Sequence, residues 1–379
     1  MDKEEQVYRD LQVHLDRMPV SFPATESGVE IRVLKHLFTP EEAAIACELS
    51  MLPEPAGRIH KRLKKSPVSL EELKTILDRM ARKGTINAEK KGEKTLYQNL
   101  PLAIGMYEFQ VERLTKEFAN DFLQYLDESF ADAVTRTGVP LLRTIPVEKS
   151  IPLAEKHLVS NYDDVRYLVE NAQGKIAVAN CVCRQTKDLA GDSCKVTDLR
   201  ETCILTSPVE SEYYTSNGIG RYITKEEALE ILDKAQAAGL VLQPVNARQP
   251  EAICCCCGDC CGVLASIKKL PHPADMFASN YYAEVDPELC NSCGICVDNC
   301  QLDAAVLNDG VVTINLDRCI GCGNCVVNCP ASALHLSKKS SEQSLPKDLP
   351  GVYTRMLKKK AGNLGILKVA AKALLKQKV

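Results

Sequence analysis

The chain has 379 residues, enough for two to four domains that each bury a core. Its 47 basic and 50 acidic side chains leave a net charge of −3, so no global field draws in nucleic acid. The 19 cysteines are odd in number and run in adjacent blocks that cannot all pair with good disulfide geometry. The start, Met1-Asp2-Lys3-Glu4-Glu5, is acidic and lacks the apolar core of a secretion signal, so a reducing cytoplasm is the expected setting. No apolar run reaches about eighteen residues, so no membrane-spanning helix is expected.

Residues 1–38 are mixed in character. Thr39-Pro40-Glu41-Glu42 then predicts a helix start, with Thr39 as cap, proline at the first position and Glu42 as the reciprocal cap. A second short helix is expected from Ala56 to Lys65. Ser69 and Glu72 form another capping box. Behind it Leu70, Leu73, Ile76, Leu77 and Met80 recur at helical spacing, and Gly84 supplies the stop. Thr85–Asn87 and Thr95–Leu100 flank the polar turn Lys90-Lys91-Gly92-Glu93-Lys94. Three helices and a hairpin resemble a winged-helix module, which implies either DNA binding or a docking platform. Arg58, His60, Lys61, Arg62, Lys64 and Lys65 could meet phosphates. Against this, the helix that would enter a groove begins with Glu71 and Glu72, which phosphates repel, and nucleic acid is not the expected partner.

From Met106 to about Thr137, Phe109, Leu114, Phe118, Phe122, Leu126 and Phe130 form an apolar stripe that predicts one long amphipathic helix. Pro140, Pro146 and Pro152 mark a domain boundary. The expected division is a helical, winged-helix-like docking domain over 1–145, a cysteine-rich α/β domain over 146–275, a ferredoxin domain over 276–340, and a linker with a basic amphipathic helix over 341–379. The fold class is α+β, multidomain.

In the second of these segments, Tyr162–Asn171 reads as a helix and Lys175–Ala179 as a strand leading into Cys181-Val182-Cys183-Arg184. Cys194 and Cys203 follow. A helix capped by Thr224 and Glu227 carries Ala228, Ile231, Leu232 and Ala235 on one face and ends at Gly239. After a short strand at Leu240–Leu242 comes Cys254-Cys255-Cys256-Cys257-Gly258-Asp259-Cys260-Cys261-Gly262. These ten cysteines exceed the eight that two four-iron clusters require. In a C-x-C on an extended strand both side chains point the same way, so both reach one metal site. Gly258 and Gly262 let the backbone bend closely around inorganic sulfide. At least one further iron–sulfur cluster is expected among Cys181, Cys183, Cys194, Cys203, Cys254, Cys255, Cys256, Cys257, Cys260 and Cys261, with structural zinc as the rival for one site. Cys260-Cys261-Gly262 faintly resembles the cysteine-rich domain of heterodisulfide reductase-type subunits. The surrounding spacing differs, so that family's chemistry is not carried over. Cys47 stands alone and reads as a small core residue.

The stretch Cys290-x2-Cys293-x2-Cys296-x3-Cys300 is repeated as Cys319-x2-Cys322-x2-Cys325-x3-Cys329-Pro330. Three closely spaced thiolates wrap one cluster and the fourth ligand comes from the distant half. Cys290, Cys293, Cys296 and Cys329 are therefore expected to hold one 4Fe–4S cluster, and Cys319, Cys322, Cys325 and Cys300 the other. Paired zinc sites are the alternative, but their C-x2-C units sit further apart. This stretch resembles the bacterial two-cluster ferredoxins, with Gln301 where the first half usually has proline. Between the halves, Asn308-Asp309-Gly310 separates two β-rich runs and predicts a hairpin.

Ser337–Pro350 reads as a linker. From Gly351 onward the chain has seven lysines, one arginine and no acid. Ile366, Leu367, Ala370, Ala371 and Leu374 share one face, and Lys368, Lys372 and Lys376 the opposite one, as in a basic amphipathic helix. It is expected to bind peripherally, to a partner complex first and to the cytoplasmic membrane face second. The expected function is electron transfer with redox partner proteins in an anaerobic complex. A redox enzyme acting at the middle cluster and an iron–sulfur DNA-binding regulator are the alternatives. No catalytic residue is identified, and no glycine-rich dinucleotide fingerprint follows a strand.

Overall fold

A computed structural model describes residues 3–63, 68–151, 160–340, 344–375 and 377–378, and the chain divides into two compact units. One comprises residues 1–137 and 353–379, the other residues 138–352. The cysteine-rich and ferredoxin segments thus share one unit.

The first unit opens with helices α1 (Lys3–Leu15), α2 (Val29–Leu37) and α3 (Pro40–Ala46). Strand β1 (Glu54–Pro55), helices α4 (Ala56–Arg62) and α5 (Leu70–Lys83), and hairpin strands β2 (Ile86–Lys91) and β3 (Lys94–Asn99) follow. Both capping boxes form as expected: the hydroxyls of Thr39 and Ser69 accept from the N–H of Glu42 and Glu72, and each glutamate reaches back. Gly84 closes α5 at φ 75°, a left-handed conformation that favours glycine. Leu73, Ile76, Leu77 and Met80 are all buried. Strand β1 pairs with the free edge of β3, giving the order β1-β3-β2. Lys64 and Lys65 lie outside the described residues.

The single helix expected over 106–137 is corrected. Glu112 takes a left-handed φ of 64°, and Thr115 caps a new start by accepting from Phe118 N–H. Helix α6 (Lys116–Tyr125) passes through a π turn at Leu126–Phe130 into α7 (Ala131–Thr135). Phe118, Phe122, Tyr125 and Phe130 fill the core, so the apolar stripe is packing.

The second unit begins with α8 (Val165–Glu170), β4 (Ile176–Asn180), α9 (Val182–Ala190), β5 (Glu201–Leu205), α10 (Pro208–Ser216) and β6 (Arg221–Ile223). It continues with α11 (Lys225–Ala237), β7 (Val241–Pro244), β8 (Ala252–Cys256) and α12 (Gly262–Lys268). The five strands form one antiparallel sheet in the order β6-β4-β5-β8-β7. One face carries Ile176, Ile204, Leu242, Ile253 and Cys255 against Leu168, Val169, Ala228 and Leu232 from α8 and α11. The other face carries cysteines.

The ferredoxin segment contributes β9 (Tyr281–Val285), α13 (Ile295–Asp298), β10 (Ala305–Asn308), β11 (Val311–Ile314), α14 (Asn324–Val327) and β12 (Leu334–Lys338). Strand β9 pairs with β12, and β10 with β11. The expected hairpin forms around Asp309 and Gly310, both at positive φ. The linker expected from Ser337 is corrected twice. Ser337 and Lys338 finish β12, and residues 346–349 are tied down, with Pro346 O and Lys347 O accepting from Arg248 and Gln249 N–H and Leu349 N–H donating to Glu251. The last helix, α15 (Leu349–Leu374), breaks at Gly362, which adopts φ 67°.

Candidate metal centres

The two ferredoxin halves form two cavities whose linings exchange one cysteine. Cys290, Cys293, Cys296 and Cys329 line one pocket, together with Val285, Val312 and Leu334. Cys300, Cys319, Cys322 and Cys325 line a second, together with Ala304, Ile314 and Ile320. Each distant cysteine reaches the other half's cavity because β9–β12 and β10–β11 close the two loops against each other. Gly321 takes φ 64° against Tyr281 O and the Ser279 hydroxyl, an approach that leaves no room for a Cβ.

The donors around these cavities fit thiolates. Ala304 N–H donates to Cys300 Sγ at 3.1 Å, and Ala333 N–H to Cys329 Sγ at 3.3 Å, the same four-residue step in both halves. Ala283 N–H donates to Cys319 Sγ at 3.4 Å. Backbone N–H groups of Val312 and Ser292 hold the Cys290 thiol below its usual value. Burial pushes Cys322 up to about 12 and raises Cys325 as well, so each keeps its proton unless a cation compensates the thiolate.

The middle cysteines fall into two sets plus one outlier. Cys203 stands directly opposite Cys254 across β5 and β8, and Cys256 follows two residues on along the same face. Cys254 interacts electrostatically with Cys203 and Cys256, Cys256 with Cys261, Cys261 with Cys183, and Cys183 with Cys181. These six thiols form one chain of neighbouring, mutually interacting side chains. Cys181 and Cys183 join it differently than expected. Cys181 caps α9 and Cys183 lies in its first turn, so helix geometry rather than strand alternation brings them together. The alternation does hold for Cys254 and Cys256, and it turns Cys255 into the apolar core on the opposite face.

The second set is Cys194, Cys257, Asp259 and Cys260, whose ligand atoms all lie within 4.8 Å of one another. Between the sets stands Arg184, which is fully buried. It donates to Thr202 Oγ1 at 2.7 Å, to Cys255 O at 3.0 Å and to Cys257 Sγ at 3.5 Å. It makes no carboxylate ion pair among the described residues. Burial opposes its charge, but the sulfurs of Cys181, Cys257 and Cys256 outweigh burial and hold the guanidinium charged. A buried cation without carboxylates needs another anion, and metal–thiolate centres carry net negative charge. Gln243 sits opposite Cys254 on β7, fully buried, and its amide finds no hydrogen-bond partner among the described residues. Such an amide fits as a donor to sulfur on the cysteine face. Arg184, Gln243 and Asp259 were not singled out from sequence. The only signals were Arg184 adjoining Cys183 and Asp259 inside Cys257-x2-Cys260.

The cysteine-rich and ferredoxin parts are joined through Gln301. Its Oε1 accepts from Gly258 N–H at 2.7 Å and its Nε2 donates to Gly239 O at 3.4 Å. Asn324 Nδ2 donates to the same Gly239 O at 2.6 Å. The Arg318 guanidinium reaches Lys268 O at 2.8 Å. The residue that departs from the ferredoxin pattern is thus a structural joint.

Residues 283–306 match the 4Fe-4S binding domain family, and residues 311–334 match a second family of the same description. Neither the curated proteins nor the solved structures contain a match to the chain. The two matches give this chain 4Fe–4S centres and iron–sulfur electron-transfer capacity in a ferredoxin-like C-terminal module. Among the described residues, no helix is long and apolar enough to cross a membrane.

Proposed function

We propose that this chain is a cytoplasmic electron carrier within an anaerobic redox complex. Cys290, Cys293, Cys296 and Cys329 hold one 4Fe–4S cluster, Cys319, Cys322, Cys325 and Cys300 the second, and the six-thiol set at least one more. When bound, such clusters supply one-electron transfer at potentials set by hydrogen bonds to sulfur, burial and charge. The observation that carries this reading is the Gly258–Gln301 hydrogen bond. It fixes the residue after Cys300 against the residue after Cys257, so ferredoxin and middle centres keep a constant separation. The opposite end, with Cys293, Leu289 and Ile295 exposed, is where a soluble redox partner meets the chain.

In the first unit, the order helix, strand, helix, helix, hairpin over residues 40–99 is a winged-helix-like arrangement that docks protein rather than DNA. Glu71 is largely exposed on the presumed reading helix, and Arg62 is already engaged by Glu54 and Glu48 O. Micromolar affinity for random duplex with a steep salt slope would overturn this assignment. A second reading of the six-thiol set rests on its surplus. Six thiols exceed the four that one cluster takes, which leaves two for redox chemistry with a substrate.

Iron and acid-labile sulfide in anaerobically purified protein, with electron paramagnetic resonance during a redox titration, test the main reading. About twelve irons per chain and more than two reducible centres are expected. About eight irons and only two centres would remove the middle cluster.

A further inference from the structure

We propose that Cys194, Cys257, Asp259 and Cys260 form a separate site for one tetrahedral, thiophilic divalent ion, zinc or ferrous iron, distinct from the six-thiol set. Spacing carries the distinction. A tetrahedral ion with metal–sulfur bonds of about 2.3 Å sets its ligand sulfurs about 3.8 Å apart. Cys194 Sγ and Cys257 Sγ are 3.7 Å apart, and Cys194 Sγ lies 3.8 Å from Asp259 Oδ1. A four-iron cube places each thiolate on a different corner, so its ligands stand further apart than those of one ion. Among the described residues, this is the only group of three or more ligand atoms mutually within 4.8 Å. The six thiols do not form a group that compact, and the ferredoxin cysteines line two pockets.

The surrounding groups fit a fixed ion. Lys195 N–H donates to Asp259 Oδ2 at 2.9 Å, which leaves Oδ1 turned toward Cys194. Arg184 donates to Cys257 Sγ and offsets the excess charge of three thiolates and one carboxylate on a dication. Cys257 and Cys260 come from one turn with the C-x2-C spacing of zinc knuckles, while Cys194 closes the set from the loop after α9. Cys257 and Cys260 are buried, whereas Cys194 and Asp259 are partly exposed, so an ion can enter from solvent.

The test is metal and sulfide stoichiometry of the full chain, purified without oxygen, as wild type, Cys194→Ser and Asp259→Ala. About one zinc per chain is expected in wild type and its loss in both variants, with iron, sulfide and paramagnetic signals unchanged. If the ion is ferrous, about one iron unaccompanied by sulfide disappears instead, which supports the site and names its metal. A fall of about four irons with matching sulfide in Cys194→Ser would assign Cys194 to a cluster and overturn the proposal. Should the variants fail to fold, cobalt replaces the ion in wild-type protein. Intense visible bands of tetrahedral cobalt–thiolate are expected, and their absence would equally overturn the site.

Discussion

Cys329 lies in the second ferredoxin motif, yet its side chain lines the cavity of Cys290, Cys293 and Cys296. Cys329→Ser should therefore damage the cluster of the first three cysteines and leave that of Cys319, Cys322 and Cys325 reducible. Paramagnetic resonance of the variant decides this, and loss of the second cluster alone would reverse the assignment. The spacing of these eight cysteines predicts the same exchange that the pocket linings show, because close triplets draw the fourth ligand from afar. Gln301 was legible only as a departure. Its role depends on Gly258 and Gly239, which are 43 and 62 residues away, and no local pattern encodes such a meeting. Gln301→Ala should keep both ferredoxin clusters, lower unfolding stability by about 1 kcal/mol and slow electron exchange with the proposed middle centre. Unchanged exchange in rapid-mixing reduction would show that this joint has no part in transfer.

At the scale of elements, helices with explicit start and stop chemistry were readable. Thr39, Ser69 and Thr224 cap where expected, and Gly84 and Gly239 follow helix ends at positive φ. The stripe beyond Met106 misled because periodicity does not register a backbone turn such as that at Glu112, which only packing stabilises. The partition of the middle cysteines was likewise hidden, since it depends on the register of β5, β8 and β7. Junctions between elements carry their own chemistry. His14 on α1 places Nε2 3.0 Å from Leu49 O and 2.9 Å from Asn99 Nδ2 at the end of β3. Burial, helped by Lys378, lowers this imidazole to about 4. A depressed folded value means that protons favour the unfolded chain. The stabilisation is therefore complete above the unfolded value of about 6.5 and is lost as pH falls toward 4. Between pH 7 and pH 5 the loss should be roughly 2 kcal/mol. Urea unfolding at both pH values, in wild type and His14→Gln, measures it, and an equal fall in the variant would assign the effect elsewhere.

At the scale of the whole molecule, the cysteine centres are gathered in one unit, while the N-terminal helices and hairpin and the C-terminal helix from Tyr353 belong to the other. The proposed carrier would thus keep its redox chemistry and its proposed docking surfaces in separate units. Helix α15 has two characters on either side of Gly362. Before the break it is anchored: Met356 is buried, and Lys360 Nζ donates to Met18 O at 2.9 Å and to Ser21 Oγ at 2.6 Å. Beyond it, Leu364, Leu367, Leu374 and Leu375 are each more than 60% exposed, beside Lys368 and Lys372. Exposed leucines flanked by lysines fit an acidic groove on a partner subunit. An anionic membrane surface would attract such lysines at about 1 kcal/mol each. Tryptophan and phenylalanine, the usual interfacial anchors, are missing from this segment, so membrane binding alone would be weak and reversible. Lys378 also reaches Cys47 O and Glu48 beyond the break, but these contacts lie within the unit that holds no cluster, so deleting residues 362–379 should leave iron, sulfide and reduction behaviour unchanged. The same deletion should release the protein from the proposed complex at moderate salt. Co-sedimentation with the partner complex and with anionic vesicles separates the two surfaces, and a truncated chain that fractionates like the full one would deny the helix any anchoring role.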